Sequence, residues 1–307
     1  MSQSYARPLD NNELTHHFLL SVLGLKRSRQ TDDLVVRIVE TEVLLATYAR
    51  SDTLNSTKYR HPSYKSDADR EDLRESIFEE LINLARLPDD DQIGPGIGGL
   101  APPEHITAMQ ARQAFILLGL PASGKSSIAN RVADENGAFV VDSDYAKRKF
   151  PEFGYSGGQG AALVHEEAQL VTFGVQGESN VNVLEFCVAQ GHNIVIPKIG
   201  SKADSIRTLR EDLIEKGYEV HLTLVKADRI CSVRRALDRF QRTRRYVPLA
   251  LIFDGYGNDP ILSYYYIRGD KAWASTGMLS TEGAAPVVLE ATTGNPANLY
   301  GGDSDGK

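Results

Sequence analysis

The most pointed chemistry in the chain lies between Phe115 and Asn130, FILLGLPASGKSSIAN, where Gly119, Gly124, Lys125 and Ser126 fit the pattern G-x-x-x-x-G-K-[ST]. That pattern needs a strand before it and a helix behind it. Phe115 to Leu118 is a short apolar run of the kind a buried parallel strand shows, and Ser126 to Val132 alternates polar and apolar residues at helical spacing. The stretch Gly119-Leu120-Pro121-Ala122-Ser123-Gly124-Lys125-Ser126-Ser127 is therefore expected to cradle a nucleotide triphosphate on backbone N–H groups and a helix N-terminus. Lys125 would reach the β- and γ-phosphates, and the Ser126 hydroxyl would ligate Mg²⁺.

Phosphoryl transfer further needs a group that receives or orients the attacking hydroxyl, and cations for the charge on the moving group. A second apolar run, Ala138 to Val141, ends at Asp142-Ser143-Asp144, which puts two carboxylates at the C-terminal end of a strand, the ligand edge of a doubly wound sheet. Asp144 is the expected base if the two strands are neighbours. Asp142, on the same edge, is placed to orient water, Mg²⁺ or the backbone, and a helix cap is the structural alternative for either carboxylate. Among Arg229, Arg234, Arg235, Arg239, Arg242, Arg244 and Arg245, the residues Arg235, Arg239 and Arg242 fall on one helical side and are placed to close over phosphates as a lid. A charge run is usually a solvated face, and several of these arginines are expected to be only that. His165, Glu166 and Glu167 form a local group suited to gripping sugar hydroxyls or a base, and glycines 154, 157, 158 and 160 around Tyr155 suggest a loop that admits substrate.

The remaining elements must position these groups. Leu14, Phe18, Val22 and Leu25 recur at helical spacing, Thr31-Asp32-Asp33 starts a second helix running to about Arg50, and Ser66 with Asp69 resembles a capping box before the stripe Leu73, Ile77, Leu81, Leu84. After the acidic triplet Asp89 to Asp91 comes IGPGIGGLAPP, which marks a boundary. Beyond it, strands at 138–141, 193–196 and 220–225 alternate with helical patterns, 264–267 reads as either state, and 286–291 gives a last strand. The expected fold is an α/β three-layer sandwich with a mostly parallel sheet, preceded by an all-helical segment. Its divisions are 1–92 helical, 93–105 linker, 106–293 phosphate-loop domain and 294–307 mobile tail.

With 307 residues and 41% hydrophobic content the chain can fill a full core, and its net charge of −7 argues against a nucleic-acid partner. Cys187 and Cys231 form no CxxC pair, so neither a disulfide framework nor a zinc site is indicated and a reducing cytoplasm is expected. The first apolar run, Phe18 to Leu25, is too short to span a bilayer and lacks a basic leader, so no membrane partner is expected.

Taken in order, GLPASGKSS, VVDSDYAKRKFPEF, GHNIVIP, GYEVHLTLV and RALDRFQRTRRYVP resemble the zeta toxin family of P-loop kinases over roughly Phe115 to Pro248. The resemblance implies ATP and Mg²⁺ at Lys125 and Ser126, Asp144 as the base for a substrate hydroxyl, Arg239 and Arg245 as clamps on the transferring phosphate, and Lys147 in contact with substrate or phosphate. It implies phosphorylation of a UDP-N-acetylated amino sugar, with NAD as the acceptor in an effector branch. The chain departs from the family where many members carry an acidic residue and Gly-Thr after the third strand. Here Pro197-Lys198-Ile199-Gly200 stands there, which makes Lys198 a substrate-facing candidate, and Val181 or Asn182 falls where an acidic substrate contact is usual. Because antitoxins of this family are helical and block the nucleotide site, the resemblance also suggests an antitoxin partner, or inhibition in cis by residues 14 to 87.

The first expectation is a small-molecule kinase. A nucleotide-hydrolysing regulatory module and a nucleic-acid-end kinase remain as other classes, the last opposed by the acidic balance.

Overall fold

Gln113–Leu118 (β1) is buried at all six positions, and burial on both faces is why this run lacks polar alternation. In the computed structural model, which describes residues 7–48, 52–103, 111–155, 160–174, 181–243 and 245–301, β1 is an inner strand of a six-stranded sheet. The other strands are β2 (Phe139–Val140), β3 (Ile194–Lys198), β4 (Glu219–Lys226), β5 (Ser275–Ser280) and β6 (Val287–Ala291), in the order β2-β3-β1-β4-β5-β6. All pairs are parallel except β5 with β6. β3 separates β1 from β2, so the strands carrying the Gly-rich loop and the two carboxylates are not neighbours as expected.

The helices are α1 (Asn12–His17), α2 (Arg29–Tyr48), α3 (Asp67–Asn83), α4 (Lys125–Asn136), α5 (Ser143–Lys149), α6 (Gly160–Leu163), α7 (His165–Phe173), α8 (Val183–Gln190), α9 (Ala203–Glu215), α10 (Arg229–Thr243) and α11 (Asp259–Ile267). Ser66 and Asp69 form the reciprocal capping box that the sequence announces for α3. The undecided stretch 264–267 is the end of α11. Among the described residues no helix is long and apolar enough to cross a membrane.

Two apolar cores result. Leu73, Ile77 and Leu81 of α3 join the sheet residues in the larger one. In the second, Leu14 of α1, Phe18 and Leu19 just after it, and Leu34, Val35 and Ile38 of α2 meet Val233, Ala236, Leu237 and Phe240 of α10 together with Leu120 of the Gly-rich loop. The helical segment thus covers the apolar side of the arginine helix. Tyr246 OH donates to Glu42 Oε1 at 2.5 Å, and Arg234 Nη2 donates to Leu23 O at 2.7 Å across the same seam.

The Gly/Pro-rich run expected as a linker carries buried Ile93 and Leu100 into the larger core, and Leu100 N donates to Leu81 O. The expected mobile tail is packed as far as Gly301. Asn295 Nδ2 donates to Leu222 O, while its Oδ1 accepts from Thr223 Oγ1 and Ala297 N, which pins a short turn at Pro296–Tyr300 against β4. Buried polar groups hold the segment there, which composition alone does not reveal. Residues 1–6, Gly157, Gly158, Arg244 and 302–307, all subjects of expectations, lie outside the described residues.

Candidate active site

The loop between β1 and α4 is built from backbone constraints. A Cβ on Gly119 would come within 2.5 Å of Val225 O and 2.8 Å of Ser123 Oγ, so only glycine fits there. Gly124 caps α4 at φ +90°, and Ala122 holds φ +60°, a conformation that costs a non-glycine residue about 1–2 kcal/mol. Strain of this kind persists only where neighbours enforce it. Thr281, just beyond β5, donates from Oγ1 to Ser123 O at 2.5 Å and is itself held by Arg235 Nη1 at 3.2 Å. Sequence reading missed Thr281 because β5, STGMLS, has no apolar run to announce it.

Lys125 Nζ lies 2.6 Å from both Gly119 O and Leu120 O, and burial pushes its ammonium down to about 8 against the opposing charges of Asp142 and Asp144. The loop therefore holds a desolvated cation at its mouth. Ser123 Oγ is buried without a partner among the described residues. Glycines that admit close approach, a helix N-terminus behind them, a buried lysine and an orphan hydroxyl suit a polyphosphate. The Ser126 hydroxyl on the first turn of α4 is the oxygen donor placed for a divalent cation on that phosphate chain.

Asp142 caps α5, its Oδ1 accepting from Asp144 N at 3.0 Å, so the structural alternative holds for it. It also lines one of the two cavities described below. Asp144 accepts from Lys147 Nζ at 2.9 Å and from Arg245 Nη2 at 2.5 Å. Burial would raise Asp144, but the charges of Lys147 and Arg245 outweigh it and hold the carboxyl well below the usual carboxylate range. Burial and the Asp144 charge raise Asp142 instead, so the pair divides its roles into one firm anion and one group nearer to protonation.

Two cavities open on this loop. One, of about 480 Å³, is lined by Pro121, Lys125, Asp142, Asp144, Lys147, His165, Gln169, Lys198 and Lys202, and by the apolar Phe173, Val247, Leu251 and Tyr256. Lys198 Nζ stands 3.6 Å from the Phe173 ring centroid, and burial lowers its pKa. Burial and Lys147 likewise lower His165. The other cavity, of about 670 Å³, is lined by Ser126, Ser127, Asn130, Asp89 to Asp91, Arg148, Arg239 and Arg245. Burial and the neighbouring Arg245 bring Arg239 down to about 10.

The structure thus gathers Lys125, Asp142, Asp144, Lys147, His165 and Lys198 on one side of the loop and Ser126, Ser127, Arg239 and Arg245 on the other. It does not bring the two glutamates there. Glu166 is exposed and lines neither cavity. Glu167 faces away on the opposite side of α7, wholly buried, accepting from Thr53 Oγ1, Arg70 and Arg74. Helix geometry decides this, since residues two apart point to different sides of α7, and of the three only His165, with Gln169 and Phe173 one and two turns on, lines the cavity. Of the expected lid side, Arg235 is spent on Thr281, Arg242 is exposed and lines neither cavity, and Arg239 reaches the site.

A Gly-rich loop between a parallel strand and a helix, facing arginines in an α/β sandwich, is the architecture of the P-loop kinase fold. Residues 104–255 match the family described as Zeta toxin, and this segment is similar to that family. The chain is 24% identical to Toxin zeta of Streptococcus pyogenes over 136 residues, 44% of this chain and 46% of that one. It therefore spans about half the length of the curated relative it matches. In fold it is similar to a chain of the PezAT chromosomal toxin–antitoxin system of Streptococcus pneumoniae, at TM-score 0.51 and 14% identity, over 77% of this chain and 86% of that one. A chain of the AvrRxo1-ORF1:-ORF2 complex aligns at TM-score 0.47 and 18% identity, over 81% and 74% of the two chains, a likeness too loose to carry an argument.

Proposed function

We propose that the protein transfers the γ-phosphate of ATP to a hydroxyl of a small nucleotide-type metabolite, a UDP-N-acetylamino sugar. The observation that carries this reading is that Lys125 and Asp144 line one cavity. Bound ATP with Mg²⁺ would supply the phosphoryl group and neutralise the β- and γ-oxygens. Asp144, ionised and fixed by two cations, orients the acceptor hydroxyl and takes its proton. A carboxylate held so low is a weak base, so its main work is positioning, which suits a loose transition state that asks little covalent help of the protein. Lys125, Arg239 and Arg245 hold the phosphate charge in a poorly solvated cleft, where such contacts are worth most.

The acceptor cavity favours an anionic metabolite. Lys147, Lys198 and Lys202 face it, against the carboxylates of Asp142 and Asp144 alone, while Phe173 and Tyr256 offer rings for a base or sugar face. The direct test is the full chain with [γ-³²P]ATP, Mg²⁺ and UDP-N-acetylglucosamine or NAD. Label on the sugar nucleotide supports the assignment, label on NAD moves it to the effector type, and release as inorganic phosphate alone favours a hydrolysing module.

The packing of Leu120 and Ala122 against the N-terminal helices supports those helices as a cap on the nucleotide loop, acting in cis where relatives use a separate antitoxin. Growth of cells expressing the full chain or residues 104–307 tests this, with circular dichroism to establish that the shorter chain folds after α10 loses its cover. Equal toxicity of two folded proteins removes the idea.

A further inference from the structure

Arg148 was given no role by its sequence position. It lies beside Lys147 on α5, but while Lys147 turns to the acceptor cavity, Arg148 lines the other one with Ser126, Ser127, Arg239 and Arg245. Its side chain is 4% exposed, and its Nη1 has no partner among the described residues. Arg239 Nε is likewise buried and unpartnered. Arg148, Arg239 and Arg245 thus border one cleft, with Arg131, whose guanidinium lies over the Tyr300 ring, on the same lining. Burial and Arg245 lower the pKa of both Arg148 and Arg239, the signature of like charges held together in a poorly solvated place.

Such an arrangement needs an anion with several oxygens. Asp144 takes Arg245 Nη2, and the anion that meets Arg148 comes from the acidic triplet. Asp91 Oδ1 accepts from Arg148 Nη2 at 3.1 Å and stands 3.9 Å from Arg245 Nη1, in a short turn at Asp90–Gln92 capped by Asp89. Neighbouring Asp90 is engaged by Tyr145 OH at 2.7 Å, which fixes the turn over the cleft. One carboxylate oxygen leaves Arg148 Nη1 and Arg239 Nε unmet, whereas a phosphate beside Ser126 offers more acceptors to the same fork.

We propose that Arg148 is a third phosphate-binding arginine of the nucleotide site, and that the carboxylate of Asp91 competes with the nucleotide phosphates for Arg148 and Arg245. This rests on the reading of the Gly-rich loop as the ATP site. ATP binding exchanges the Asp91 contact for phosphate oxygens, and the turn 89–91 acts as an internal anion that raises the concentration of ATP needed.

The test is equilibrium binding of a non-hydrolysable ATP analogue with Mg²⁺ to the full chain. Asp91→Asn is expected to tighten binding by about threefold to tenfold, and Arg148→Gln to weaken it by about tenfold or more, the scale of one charge-assisted hydrogen bond. In the double variant the gain from Asp91→Asn should largely vanish, because the competition runs through Arg148. Unchanged or weaker binding by Asp91→Asn, at an unchanged melting temperature, overturns the proposal. Should Arg148→Gln fold poorly, Arg148→Lys keeps the charge without the fork, and wild-type affinity there overturns the role of Arg148. Lys125→Ala is the separate control. Retained ATP binding in that variant would remove the underlying site reading, whereas lost binding there with an inert Asp91→Asn would remove the competition alone.

Discussion

Lys147 Nζ stands 2.9 Å from Asp144 Oδ1, one turn along α5, while Arg245 takes the other carboxylate oxygen. Together they keep Asp144 ionised to far below its ordinary value. Removing one cation must let the carboxyl rise toward that value. Lys147→Gln is expected to shift the acid limb of kcat/KM to higher pH, because Asp144 then protonates earlier as pH falls. A limb that stays in place would mean that another group sets it.

Lys125 titrates in the opposite sense. Burial pushes its ammonium down to about 8, so the cation is complete below that pH and is lost as pH rises through it. ATP affinity should weaken between pH 7 and pH 9.5, and Lys125→Arg, whose guanidinium stays charged, should flatten the profile. Calorimetric titration across that range measures both. A flat wild-type profile would contradict a role for the Lys125 charge in binding.

Arg70 links the helical segment to the sandwich. It is wholly buried, with Nη1 donating to Glu152 Oε1 at 2.7 Å and Nε to Glu167 Oε1 at 3.0 Å, under the hydrogen bond from Thr53 to Glu167. Arg70→Met would leave buried Glu152 without its cation and Glu167 with Arg74 alone, and should cost about 3–5 kcal/mol of stability. Urea unfolding measures it. A loss below about 1 kcal/mol would show that the network relaxes without Arg70.

The sequence made the candidate site legible where chemistry dictates residue type at fixed spacing. The Gly-rich loop, the Asp-x-Asp after a strand and Arg239 could be placed from local pattern, and the capping box at Ser66 fixed the start of α3. What it could not convey were meetings between distant segments. Thr281 on Ser123, Asp91 on Arg148 and Glu167 on Arg70 join residues 158, 57 and 97 positions apart. β5 was invisible because a strand made mostly of Ser, Thr and Gly imitates a loop. The apparent linker and tail were misjudged for the converse reason, since Gly, Pro and Asn can be packed when buried hydrogen bonds hold them.

Lys198 supplies a specificity prediction. Its ammonium rests on the Phe173 ring in the acceptor cavity, apart from the arginine cleft. Lys198→Met should raise KM for the acceptor by about tenfold and leave KM for ATP within twofold, as expected for loss of one ionic contact to a phosphate. An equal rise in both constants would place Lys198 in the nucleotide site instead.

The central claim is that Asp144 works on the acceptor hydroxyl in the cleft that Lys125 also lines. Single-turnover transfer from [γ-³²P]ATP by wild type and Asp144→Asn, with ATP affinity measured on both, tests it most directly. The account predicts affinity within about threefold and transfer slowed by about 10²–10⁴. Transfer by Asp144→Asn at the wild-type rate would contradict it.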